Sequence, residues 1–161
     1  MTLMMHSSRI WHAGPGEIAG WELPLRRLVR EEQARQAGAL IRGVDLDAYL
    51  DRVVARGEFV LLTLDEHLGG FCAFYAFDPA LDSAFITLFV VAPEGRGLGL
   101  AEAMLACVAT QARQRGYRYL TLWVGEDNVP ALRFYRRQGF RVLAHDDEKG
   151  QVFVRLTVGE A

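Results

Sequence analysis

Lysine is nearly absent from this chain: of 18 basic residues, only Lys149 is not an arginine. A contact from a basic side chain to a phosphate therefore falls almost entirely to arginine. Cysteine is scarce too. Cys72 and Cys107 stand among apolar neighbours, with no C-x-x-C and no Cys/His cluster at metal-ligand spacing. This excludes a zinc module and a disulfide scaffold, and the reading is two buried, reduced thiols in a cytoplasmic protein. No excess of positive charge is present. The net charge of -2 excludes a broadly basic surface and nucleic-acid binding driven by counterion release. Long apolar runs are missing as well. The stretch Ala84 to Ala92, interrupted by Thr87, falls far short of the ~20 residues of a membrane helix. Met1 to Ile10 has no apolar core of a secretory signal. There is no internal repeat and no linker.

What is there reads as one globular domain. The chain has 161 residues, 51% apolar and 24% charged. Residues 1–16 read as a frayed extension. Leu25 to Ile41 has helical spacing and reads as a helix or helix pair. Asp45 or Asp47 can cap a second helix ending near Gly57. Phe59–Leu64, Leu68–Phe77 and Phe85–Val91 read as a three-strand antiparallel meander. The second of these is broken by Gly69-Gly70. Its neighbours are joined through a turn at Asp65-Glu66-His67 and a connection at 78–83. Leu100–Arg115 reads as a helix with Ala103, Met104, Cys107, Val108 and Ala112 on one face. Tyr119–Val124 is a strand, Asn128–Gln138 a short helix, and Phe140–Ala144 and Val152–Val158 two final strands. The order predicts an α/β or α+β domain with a mixed sheet.

The segment Val91-Ala92-Pro93-Glu94-Gly95-Arg96-Gly97-Leu98-Gly99-Leu100-Ala101 carries the most chemistry. A strand runs into a glycine-rich turn that opens a helix. Glycines let the backbone approach a ligand, and the unpaired N–H groups of the first helical turn form an anion site. A dinucleotide fingerprint needs a third glycine where Glu102 stands, and a P-loop needs Gly-Lys-Ser/Thr. Neither is met.

Arg96-Gly97-Leu98-Gly99-Leu100-Ala101 resembles the pyrophosphate motif Q/R-x-x-G-x-G/A of the GNAT N-acetyltransferase superfamily, with the V-x-P lead-in at Val91-Ala92-Pro93. Asn128 to Phe140 is similar to a second signature of that family, N-x-x-A-x-x-F-Y-x-x-x-G-F. The resemblance covers about Phe59 to Val158. It implies a mixed, mostly antiparallel sheet of six to seven strands flanked by about four helices, with a splayed strand pair, Phe85–Val91 and Tyr119–Val124, holding acetyl-CoA. It implies that main-chain groups of Phe89, Val90 and Val91 pair with the pantetheine arm. The N–H groups of Arg96, Gly97, Leu98, Gly99, Leu100 and Ala101 would take the pyrophosphate, Asn128 the pantetheine, and Tyr135 would protonate the leaving thiolate. The reaction implied is direct attack by an amine, with no metal and no covalent cysteine intermediate. Glu126 and Asp127 are base candidates, against a plain role as favourable charge near a helix start. His67 and His145 read as solvated turn residues. The partners implied are acetyl-CoA and a small-molecule or peptide amine acceptor, with no membrane and no nucleic acid; a homodimer stays open. The alternatives are a non-catalytic acyl-CoA-binding module, or an acyltransferase using another acyl group or a hydroxyl acceptor.

Overall fold

The structure, a computed structural model, describes residues 7–14, 17–76 and 80–159. Part of the expected extension and of the 78–83 connection lies outside these residues. The chain forms β1 (Ser8–Ala13), α1 (Glu22–Arg35), α2 (Leu46–Arg56), β2 (Glu58–Leu64), β3 (His67–Tyr75), β4 (Ser83–Val91), α3 (Leu100–Gln114), β5 (Tyr119–Gly125), α4 (Val129–Arg137), β6 (Arg141–Asp146) and β7 (Gln151–Thr157). The strand order is β1-β2-β3-β4-β5-β7-β6. The β4–β5 pair is parallel, whereas β1–β2, β5–β7 and β6–β7 are antiparallel. This is the mixed, mostly antiparallel sheet with four α-helices that the sequence leads one to expect. No helix among the described residues is long and apolar enough to cross a membrane.

The chain divides into two compact units, Met1–Ala73 with Leu88–Cys107, and Phe74–Thr87 with Val108–Ala161. In the first, residues 8–13 are not a frayed extension. They pair along β2 from Ser8↔Leu64 to Ala13↔Phe59. α1 buries Leu25, Leu28, Val29 and Glu32, the spacing of one helical face. It stops at Arg35 rather than continuing to Ile41. Ala37 and Gly38 take positive φ, and their N–H groups donate to the carbonyls of Ala34 and Gln33. These bonds close the helix end. The Gln33 side chain then holds the backbone of Ile41 through both its N–H and its carbonyl, at 2.9 and 2.7 Å. Asp45, not Asp47, caps α2 by accepting from the Ala48 N–H.

β3 is not broken by its two glycines. A Cβ on Gly69 would lie 2.6 Å from the Leu64 side chain, and one on Gly70 would lie 2.8 Å from the Val90 carbonyl. Glycine stands there because the neighbouring chain leaves no room for a side chain. His67 begins β3 rather than ending a turn, and is exposed. Asp65 and Glu66 both take positive φ, as in a tight hairpin turn. Cys72 is buried and free, and burial pushes its thiol well above the ordinary range. Cys107 is free but only half-buried, so just one of the two expected buried thiols is fully enclosed.

In the second unit, β5 and β7 pair over seven positions, from Tyr119↔Thr157 to Gly125↔Gln151. Leu120, Leu122, Val124, Val152 and Val154 are buried. β6 pairs with β7 with a register shift between Val142 and Ala144. His145 lies on β6 rather than in a turn, and is exposed. The turn that follows is closed by the Lys149 N–H on the Asp146 carboxylate and by Gly150 at φ 62°. In the part of α3 that belongs to the first unit, Ala103, expected on the buried face, is exposed; Leu105 is buried instead.

Candidate functional site

In the first unit the turn after β4 begins as a 3-10 turn over Pro93–Gly95. The Ala92 N–H donates to the Gly69 carbonyl at 2.8 Å, which anchors the exit of β4 to β3. Gly97 and Gly99 then take φ of 76° and 74°. A Cβ on Gly97 would meet nothing within 4 Å, and one on Gly99 only the Glu102 carboxylate at 3.8 Å. The two glycines are needed for conformation, and the space beside them is open. Among the described residues, no backbone acceptor takes the N–H groups of Gly97, Leu98, Gly99, Leu100, Ala101 or Glu102. Six successive donors at a helix start suit a pyrophosphate.

Arg96 behaves differently from expectation. Its N–H donates to the Pro93 carbonyl at 3.2 Å, so the donor run starts one residue later, at Gly97. Its guanidinium turns back. Nε donates to the Val91 carbonyl at 3.0 Å, which engages one of the main-chain groups expected to be free. Nη2 lies 3.0 and 2.8 Å from the two Glu32 carboxylate oxygens. Arg96 is thus a brace for the turn rather than a charge standing at its mouth. Val90 is buried and Phe89 half-buried on β4.

Glu32 is the residue that sequence reasoning missed. It is 6% exposed, and it also accepts from Arg35 Nε and Gln36 Nε2 at 2.9 and 3.0 Å. Burial alone would raise its carboxyl. The hydrogen bonds from Gln36 and Arg35 and the charges of Arg96 and Arg35 outweigh that and hold it below the ordinary carboxylate value. The signal was a glutamate seven residues after Leu25 on the apolar face of α1.

In the second unit, Asn128 caps α4 by accepting from the Ala131 N–H at 3.2 Å. Among the described residues its amide nitrogen has no partner, and the side chain is exposed. The helix closes as a Schellman motif: Gly139, at φ 100°, donates to Arg136 and Phe140 donates to Tyr135, each at 3.0 Å. Much of the F-Y-x-x-x-G-F pattern is therefore cap chemistry. The Tyr135 ring is buried edge-on to Phe134 and Phe140, at centroid distances of 5.2 and 5.3 Å. Glu126 and Asp127 are exposed in the turn before α4, where the Glu126 N–H donates to the Gly150 carbonyl at 2.9 Å. The parallel register of β4 and β5 joins Ser83, Ala84 and Phe85 to Tyr119, Leu120 and Thr121.

The sequence profile of the acetyltransferase (GNAT) family matches residues 25–140. A streptothricin acetyltransferase of Streptomyces lavendulae is 38% identical over 84 residues, 51% of this chain and 43% of that protein. A mycothiol acetyltransferase of Brachybacterium faecium is 33% identical over 114 residues, 69% of this chain and 34% of that protein. The chain therefore spans less than half the length of these curated relatives. The PaiA N-acetyltransferase of Thermoplasma acidophilum, solved in complex with coenzyme A, is similar in fold. Its TM-score is 0.69 at 14% identity, over 94% of this chain and 99% of that one.

Proposed function

Since the chain belongs to the acetyltransferase (GNAT) family, we propose that it transfers an acetyl group from acetyl-CoA to a primary amine by direct attack. The observation that carries this reading is the run of six unengaged N–H groups from Gly97 to Glu102, on two left-handed glycines with open space beside them. That run would hold the pyrophosphate. The bound donor supplies an acetyl thioester, whose carbonyl the amine attacks.

The remaining chemistry concerns protons. The attacking amine must be neutral, and Glu126, exposed before α4, is the base we assign to it. Asn128 keeps its amide N–H₂ for a carbonyl of the pantetheine arm, because its oxygen is engaged by the Ala131 N–H. Tyr135 gives its hydroxyl proton to the departing thiolate. Its ring packing fixes the side chain, which supports a positioned acid.

Melting the protein with and without acetyl-CoA tests the first step. Ligand at 100 times its dissociation constant adds about 2.7 kcal/mol of stability. A panel of amine acceptors, followed by thiol release, tests the second. No shift at millimolar acetyl-CoA overturns the reading. A shift without turnover on any amine would favour the acyl-CoA-binding module instead.

A further inference from the structure

At the end of the second unit away from Asn128, a cavity of about 340 Å³ is lined by Gly139, Arg141, Arg155, Leu156 and Thr157. Arg141 and Arg155 face each other directly across the β6–β7 ladder. Like charges placed opposite one another in a sheet repel. Among the described residues neither guanidinium has a carboxylate partner. Arg155 instead lies 4.0 Å from the centroid of the Tyr119 ring, and Arg118 lies 5.2 Å from the same centroid. The Nε of Arg118 is buried with no hydrogen-bond partner among the described residues. Two guanidiniums, Arg118 and Arg155, thus flank one tyrosine, and two, Arg141 and Arg155, line one cavity, in a chain whose net charge is negative.

We propose that this cavity is a binding site for a small molecule bearing a phosphate or a similar dianionic oxyanion, separate from the acetyl-transfer chemistry. Two forks at one point match a dianion better than a monoanion, and the planar guanidinium suits oxyanions in two-point contact. Tyr119 holds the Arg155 fork in place by cation–π attraction. The Thr157 hydroxyl adds a neutral donor to the lining. Asn128 follows Gly125, whereas Thr157 pairs with Tyr119, so the cavity and Asn128 lie at opposite ends of the β5–β7 ladder. Six residue steps separate those ends, roughly 20 Å. α4 connects them, since it starts after Asn128 and ends at the Gly139 cap that lines the cavity.

Inorganic phosphate is the probe, titrated against chloride at matched ionic strength with wild type, R141Q and R155Q. Saturable binding to the wild type is expected, weakened roughly tenfold or more in each variant. The sign of the R141Q effect gives a second readout. In chloride, removing one of two facing charges should leave the melting temperature unchanged or raise it; in phosphate, R141Q should melt below the wild type. Phosphate and chloride shifting the wild type equally would overturn the proposal. So would both variants keeping wild-type phosphate affinity, or R141Q melting lower by the same amount in both salts. Repeating the titration with saturating acetyl-CoA should leave the phosphate affinity unchanged. Loss, under acetyl-CoA, of the phosphate binding that R141Q and R155Q weaken would overturn the cavity's separateness without touching the proposed acetyl transfer. Competition confined to binding that neither variant alters belongs to the Gly97–Glu102 donor run and leaves the proposal standing.

Discussion

Arg96 reaches from the glycine turn to Glu32 on α1, with one guanidinium nitrogen 2.8 and 3.0 Å from the two carboxylate oxygens. The same side chain holds the Val91 carbonyl. One arginine therefore ties the end of β4, the turn and α1 together. A lysine could not replace it, because a single ammonium lacks the separated Nε and Nη2 donors that these two contacts use.

Glu32→Gln should destabilise the protein by about 1–3 kcal/mol, since it removes the charge that two arginines meet. The range is set below that of a fully buried pair because Arg96 is half-exposed. For a domain of this size that lowers the melting temperature by roughly 2–4 °C for each kcal/mol. Calorimetry would measure it. The acetyl-CoA affinity should fall as well, because the turn loses its brace; an unchanged affinity would show that the brace serves stability alone.

The same carboxylate gives a pH dependence with a definite sign. Its pKa is lower in the folded protein than the ordinary value. The stabilisation is then complete above the unfolded value of about 4.3 and is lost as the pH falls through the folded one. Urea unfolding of wild type and Glu32→Gln from neutral pH downward should converge in the acid limb. A difference that stays constant with pH would refute the charge-based account.

Gly99→Ala and Gly99→Asp separate conformation from charge. Alanine at φ 74° costs about 1–2 kcal/mol of strain, with no clash beyond the distant Glu102 carboxylate. Aspartate pays a similar strain and adds a negative charge beside the donor run. Alanine should weaken acetyl-CoA modestly, whereas aspartate should abolish binding by calorimetric titration.

Asn128→Asp and Asn128→Ala divide the two uses of that side chain. Aspartate keeps the oxygen that caps α4, so stability should hold. Alanine loses the cap, at about 1 kcal/mol. Both lose the amide N–H₂, so both should raise the KM for acetyl-CoA. If only alanine does, Asn128 is a cap and nothing more.

Tyr135→Phe should lower kcat while leaving acetyl-CoA affinity nearly unchanged. The ring contacts with Phe134 and Phe140 remain, and only the hydroxyl goes. Loss of a general acid typically costs 10²–10⁴-fold; the low end is expected, since a thiol near pKa 8.5 leaves readily. Rapid-quench measurement of the first turnover distinguishes slowed chemistry from product release.

The turn and α4 were readable because their shapes come from local chemistry. Positive φ asks for Gly97, Gly99 and Gly139, and an unpaired N–H asks for Asn128. β1 was hidden for the opposite reason. It exists because β2 offers it a ladder 46 to 56 residues away in sequence, and its own burial is only partial until Ala13. Gly69 and Gly70 misled because their cause lies in Leu64 and Val90, not in their own strand. Glu32 was passed over because a charged residue on an apolar face explains itself only once Arg96, 64 positions later, is brought to it.

Lys149 supplies the only side-chain amine in the chain, and it stands exposed in the turn between β6 and β7. Amine-directed reagents can therefore modify one side chain of known position. A fluorophore placed there would report on the β6–β7 hairpin without mutagenesis or cysteine chemistry. For assays that offer many amines, self-modification of side chains has a single address, and Lys149→Arg removes it. That gives a blank in which acetyl groups found on added acceptors cannot be confused with acetyl groups on the protein's own lysine.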